Sequence, residues 1–89
     1  MHPDLFKITP ESIKDAIYHN REIEFELNGY PYFAEPMTNP PLPLRYAIFD
    51  CKARVYIFEG NYEDLLTFQF PSGETLADNF SCFDFLYIL

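Results

Sequence analysis

With 89 residues, fourteen Asp and Glu against six Lys and Arg, and a net charge of −8, the chain reads as one small domain spanning 1–89. That balance disfavours direct binding to nucleic acid or anionic membranes, both of which need a basic footprint. No run of about 18 apolar residues offers a transmembrane helix, and Met1-His2-Pro3-Asp4 lacks the basic and apolar regions of a signal peptide, so a cytoplasmic protein is expected.

Residues 1–8 read as a lead-in whose Leu5, Phe6 and Ile8 can tuck against a core. Thr9-Pro10-Glu11 predicts a helix start: a hydroxyl cap, proline at the first helical position, and an acid at the positive end of the dipole. Ile13, Ala16 and Ile17 fall at i, i+3 and i+4, the apolar stripe of one short helix over residues 10–19. Asn20 tolerates a left-handed conformation and suits its end.

Residues 21–35 predict a β-hairpin. Ile23, Phe25 and Leu27 alternate with Glu22, Glu24 and Glu26, the mark of a strand with one buried and one wet face. Asn28-Gly29 supplies the two positive φ angles of a type I′ turn. On the return arm Tyr30, Tyr32 and Ala34 oppose Pro31, Phe33 and Glu35. Pro31 cannot donate a ladder hydrogen bond, which puts it at an edge or facing a gap in the ladder. The Pro-rich stretch 36–44 reads as a stiff surface connection, with a ligand for an aromatic-lined groove as the alternative.

Residues 45–50 and 55–59, rich in β-branched and aromatic side chains, predict a second hairpin with a loop over 51–54. Asn61 can cap a short helix to Thr67, with Glu63 and Asp64 in its first turn and Leu65 and Leu66 facing inward. Residues 68–70 are extended, 71–73 turn, and 75–80 can form another helical turn. The nearly all-apolar stretch 83–89 fits a strand covered on both faces, with a buried helix as the alternative that periodicity alone leaves open, and its end docked. The expected fold is α+β: an antiparallel sheet of about five strands (two hairpins plus the C-terminal strand), the N-terminal helix packed on one face, and short helices near the C-terminus. Ten Phe and seven Tyr supply much of its core, each buried ring removing about 150–250 Å² from water.

No catalytic, metal or nucleotide motif stands out, so a non-enzymatic protein without cofactor or metal is expected. Cys51 and Cys82 are too few for a disulfide framework and have no close partners for zinc. The spacing of Asp50, Glu59, Glu63 and Asp64 lacks the Gly-containing register of a calcium loop. The row Glu22, Glu24, Glu26 is either a solvated or aggregation-blocking face, or an acidic surface that docks on a basic groove. Its members are about 6.6–6.8 Å apart. Mimicry of a phosphate backbone therefore needs a second acidic row, for which Glu35, Glu59, Glu63 and Asp64 are the candidates.

The order of a helix, Arg21-Glu22-Ile23-Glu24-Phe25, Asn28-Gly29, Gly60, then 63–66, 73–76 and 83–89 resembles small uncharacterised acidic proteins of Firmicutes bacteria and their phages and mobile elements. The likeness is a structural pattern from which segment 36–44 departs, and it brings no site residues with it. A mobile-element setting implies an inhibitor of a host defence nuclease or another nucleic-acid-binding protein. The first expectation is thus a non-enzymatic protein that blocks a basic surface on a protein partner. The second is a small-ligand or peptide module using a tyrosine face of Tyr30, Tyr32, Tyr46 and Tyr56. A homodimer is compatible with either.

Overall fold

Thr9 opens the first helix by reciprocal capping: its hydroxyl accepts the Ser12 amide at 3.2 Å, and the Ser12 hydroxyl accepts the Thr9 amide at 3.3 Å. Pro10 follows at the first helical position, and helix α1 runs over Pro10–Tyr18. The structure is a computed structural model that describes residues 8–37 and 45–89. The expected lead-in up to Lys7 and positions 38–44 of the Pro-rich connection lie outside the described residues. α1 ends through Asn20, at φ 56°, which releases the chain toward the sheet.

The first hairpin is β1, Ile23–Leu27, and β2, Tyr30–Pro36. Both turn residues have positive φ, 50° at Asn28 and 85° at Gly29, as a type I′ turn requires. A methyl group at Gly29 would touch nothing within 4 Å, so only backbone strain opposes it. Gly29→Ala is therefore expected to cost about 1–2 kcal/mol. A urea titration checks this, and an unchanged midpoint would argue against the turn geometry.

The second hairpin is β3, Tyr46–Asp50, and β4, Val55–Gly60. Two short helices follow: α2, Tyr62–Thr67, capped by Asn61, and α3, Leu76–Asn79, capped by Thr75. A single 3-10 turn at Phe80–Cys82 leads into β5, Phe83–Ile88. All pairings are antiparallel, and the five strands form one open sheet in the order β4-β3-β2-β1-β5. The α+β architecture is thus the one the sequence predicts. Among the described residues no helix is long and apolar enough to cross a membrane.

The three helices share one core with one face of the sheet. Ile13, Ala16 and Ile17 of α1, Leu65 of α2 and Leu76 of α3 are buried with Ile23, Phe25 and Leu27 of β1, and with Tyr32 and Ile48 of β2 and β3. Phe70 lies at the centre, 1 % exposed, in the irregular stretch between α2 and α3. Its ring meets those of Phe68, Tyr32, Phe83 and Phe25 at centroid distances of 4.9, 5.0, 5.2 and 6.1 Å.

Two sequence expectations are refined here. β5 is not covered on both faces. It is an edge strand, and Leu86, Tyr87 and Leu89 are exposed. A bulge sets which residues face outward: Phe25 pairs with Phe85 and Glu24 with Tyr87, so Leu86 is left opposite no residue and Tyr87 turns away from the core. The end is nonetheless docked by its backbone, for the Leu89 amide donates to the Glu22 carbonyl at 2.8 Å. Pro31 belongs to an inner strand and pairs with Glu26 of β1, yet it sits one residue beyond the last β2–β3 pair, Tyr32↔Asp50, where its missing N–H interrupts no pair with β3.

Candidate interaction surface on the open sheet face

Residues paired across antiparallel strands point to the same side of the sheet, so the register decides which side chains meet. With Ile23, Phe25 and Leu27 in the core, Glu24 and Glu26 face the side that none of the described helices covers. The pairs through Glu24 give one row across all five strands: Tyr87, Glu24, Phe33, Phe49, Tyr56. A second row, toward the Asn28-Gly29 turn, holds Asp84, Glu26 and Pro31. A third, on the other side, holds Glu35, Ala47 and Glu59. Strands lie about 4.8 Å apart, and alternate residues along a strand about 6.8 Å. An aromatic band is thus bordered by carboxylates on both sides.

The third row has internal structure. The Tyr56 hydroxyl donates to Glu35 Oε1, reaching across β3. That hydrogen bond, with burial and the Glu35 charge, pushes the Tyr56 hydroxyl above its ordinary pKa. Arg45 Nη2 meets Glu59 Oε1 at 3.4 Å, and the Phe49 and Tyr56 rings meet edge to face at 5.0 Å. Among these groups lies a shallow depression of about 410 Å³, walled by Glu35, Glu59, Tyr56, Pro36 and Met37 over Ala47.

The acidic candidates divide. Glu24, Glu26, Glu35 and Glu59 share the open face, and Asp84 joins them. Glu63 and Asp64 do not: they lie in the first turn of α2, whose Leu65 enters the core on the opposite side. Gly60, Asn61 and the start of α2 carry the chain to the helical side of the sheet, so Glu63 and Asp64, though close to Glu59 in sequence, do not share its face. Glu22 precedes β1, and its charge is felt by the Tyr46 hydroxyl near the end of α1. Asp84 was not among the sequence candidates because only its pairing with Glu26 reveals where it points.

The tyrosine face does not form. Tyr32 and Tyr46 are buried in the core, while Tyr56 stands on the opposite side of the sheet. Tyr30 is half-buried, and its hydroxyl donates to both carboxylate oxygens of Asp50, at 2.8 and 3.0 Å. Asp50 Oδ1 also accepts the amides of Lys52 and Ala53 at 3.0 and 2.9 Å, closing the β3–β4 turn, and Lys52 Nζ lies 5.3 Å from the Tyr30 ring centre. Burial raises the Asp50 pKa, but the hydrogen bonds from Ala53, Tyr30 and Lys52 and the Lys52 charge outweigh it, leaving the carboxyl below its ordinary 3.8.

The sign of the linkage follows from that depression. The unfolded chain takes up this proton first, so the stability Asp50 contributes is complete above pH 3.8 and is lost as pH falls through its lower folded value. Asp50→Asn is expected to lower the melting temperature near neutral pH and to flatten the acid limb of the stability curve. Melting curves on both sides of pH 3.8 check this. Equal acid limbs in the two proteins would remove Asp50 as the responsible group.

The perturbed thiol and phenols are held toward their protonated forms. The Cys51 thiol is exposed but pushed up by burial of its sulfur and by the Asp50 and Glu24 charges, which disfavour the thiolate. Tyr30, Tyr32 and Tyr62 are raised as well, so they stay protonated at neutral pH. His19 is exposed, with Nδ1 2.8 Å from the Asp15 carbonyl oxygen and 3.4 Å from its carboxylate. Among the described residues no group of three or more His, Cys, Asp or Glu is arranged to hold a metal ion. Chemically, the open face can accept hydrogen bonds from cations and offer ring surfaces to them.

No family model, curated protein or solved structure matches this chain.

Proposed function

We propose that the chain is a non-enzymatic interaction protein whose open sheet face docks on a basic surface of a nucleic-acid-binding protein and so blocks it. The observation that carries this reading is the convergence of Glu24, Glu26, Glu35, Glu59 and Asp84 on a face that none of the described helices covers. With a net charge of −8, a basic partner is attracted at long range and nucleic acid itself is repelled. In the mobile-element setting implied by the resemblance above, the partner is a host defence nuclease and the protein acts in the cytoplasm.

Electrostatic docking is fast and weakens as salt screens the charges. Immobilised on beads, the wild-type protein is expected to retain a basic nuclease or DNA-binding protein from host lysate at low salt and to release it at high salt. The Glu24→Gln, Glu26→Gln, Glu35→Gln triple variant, folded by circular dichroism, is expected to retain none of it. Undiminished retention by the variant, or a wild-type partner that ignores salt, would sink the proposal.

A further inference from the structure

The open face carries more than charge. Tyr56 and Tyr87 are each 60 % exposed, and together with half-buried Phe33 and Phe49 they lie in one row with Glu24. Solvated carboxylates alone would serve any cation. Rings exposed beside them add a second demand, because the occupant must lie flat on an aromatic surface while its edge reaches an acid.

Lysine meets that demand poorly, since its ammonium is a compact, strongly hydrated point charge. Arginine meets it well. The guanidinium is planar and weakly hydrated, stacks on aromatic faces, and presents paired N–H donors along its edge to a carboxylate. The chain holds an instance of half this chemistry at the rim of the same face, where the Arg45 guanidinium meets Glu59 at 3.4 Å. The depression between Glu35 and Glu59, with Tyr56 as a wall and Ala47 as its floor, has the room and the acceptors for another.

The other occupants fit less well. A second copy set face to face would oppose Glu24, Glu26, Glu35, Glu59 and Asp84 to themselves. Nucleic acid and anionic lipid would meet the same repulsion. We therefore propose that the partner segment docked on this face is arginine-rich, and that the aromatic row makes the surface select arginine over lysine. The inference rests on the docking reading above and names the chemistry of its partner.

The test uses two peptides of equal length, one of arginine and one of lysine, titrated into the isotope-labelled protein at low salt and followed by amide chemical shifts. The arginine peptide is expected to bind about tenfold more tightly, the scale of one or two exposed cation–π contacts combined with paired hydrogen bonds. It should shift the amides of Glu24, Phe33, Phe49 and Tyr56. Tyr56→Ala with Tyr87→Ala, two exposed positions whose loss leaves the core intact, should bring arginine affinity down to that of lysine. Glu24→Gln with Glu26→Gln should weaken both peptides alike. Equal wild-type affinities for the two peptides overturn arginine selection and leave electrostatic docking standing. Binding of neither peptide overturns both, and shifts confined to the helical face overturn the placement of the site.

Discussion

Phe70→Ala is expected to destabilise the protein by about 3–5 kcal/mol, a large part of the roughly 5–15 kcal/mol that holds a small domain folded. The ring is 1 % exposed and stands where β1, β2, β5 and the α2–α3 connection meet. Removing it would leave Phe25, Tyr32, Phe68 and Phe83 facing a void that their own backbones, fixed in the sheet or beside it, cannot close. Phe70 also anchors a stretch with no ladder of its own: its amide donates to the Glu74 carbonyl at 2.9 Å, and its carbonyl accepts the Gly73 amide at 2.7 Å. Those bonds hold a turn in place only while the ring holds the turn against the core. Phe49→Ala, on the half-buried open face, is the matched control and should cost far less. Denaturant titration of both variants decides the matter. A Phe70 variant no weaker than the Phe49 variant would contradict the packing described above.

The first hairpin was legible because two independent signals agree over residues 23–30: alternation sets the buried face, and Asn28-Gly29 sets the turn. Two helices were legible through their caps, since Thr9 and Asn61 each accept an amide as their side-chain chemistry predicts, whereas the cap at Thr75 emerged only with the structure. β5 was legible as a strand but not in its facing. Every residue from Phe83 to Ile88 except Asp84 is apolar, so the run carries no alternation from which to read a phase, and the bulge at Leu86 changes the phase within it. The candidate surface was half legible for the same reason. Glu24 and Glu26 share a face by alternation within one strand, whereas Glu35 joins them only through the β1–β2 pair Glu24↔Phe33, and Glu59 only through Glu35↔Ala47↔Glu59. Register between distant strands is a tertiary property, set by which faces bury apolar area. Tyrosine hides its side of the sheet most of all, because ring and hydroxyl suit core and surface alike. Tyr32 and Tyr56 differ in burial through their pairing with Phe25 and Phe49, not through anything local to either.

Tyr46 ties α1 to the sheet, and its ionisation is expected to release that tie. The side chain is 1 % exposed, with its hydroxyl donating to the Arg21 carbonyl at 2.8 Å and lying 3.4 Å from the Ala16 carbonyl. Burial pushes the phenol up to about 12, and the Glu22 charge adds to this against the lowering effect of the Arg21 hydrogen bond. In the unfolded chain the same group titrates at 10.0, so above that pH the unfolded state loses its proton first. The stability Tyr46 contributes is therefore whole below pH 10.0 and falls away as pH climbs to about 12, a loss of about 2–3 kcal/mol at 1.36 kcal/mol per unit. Tyr46→Phe keeps the ring, removes the proton, and leaves the Arg21 carbonyl unpaired, which should cost about 0.5–1.5 kcal/mol near neutral pH. Tyr30, Tyr32, Tyr56 and Tyr62 are raised too, so the variant keeps an alkaline limb, but a shallower one. The wild-type protein and the variant should accordingly converge in stability above pH 10.0 and cross before about 12. Parallel curves through that window would mean that Tyr46 ionises as freely in the folded state as in the unfolded one. The hydroxyl would then not be the buried link between helix and sheet.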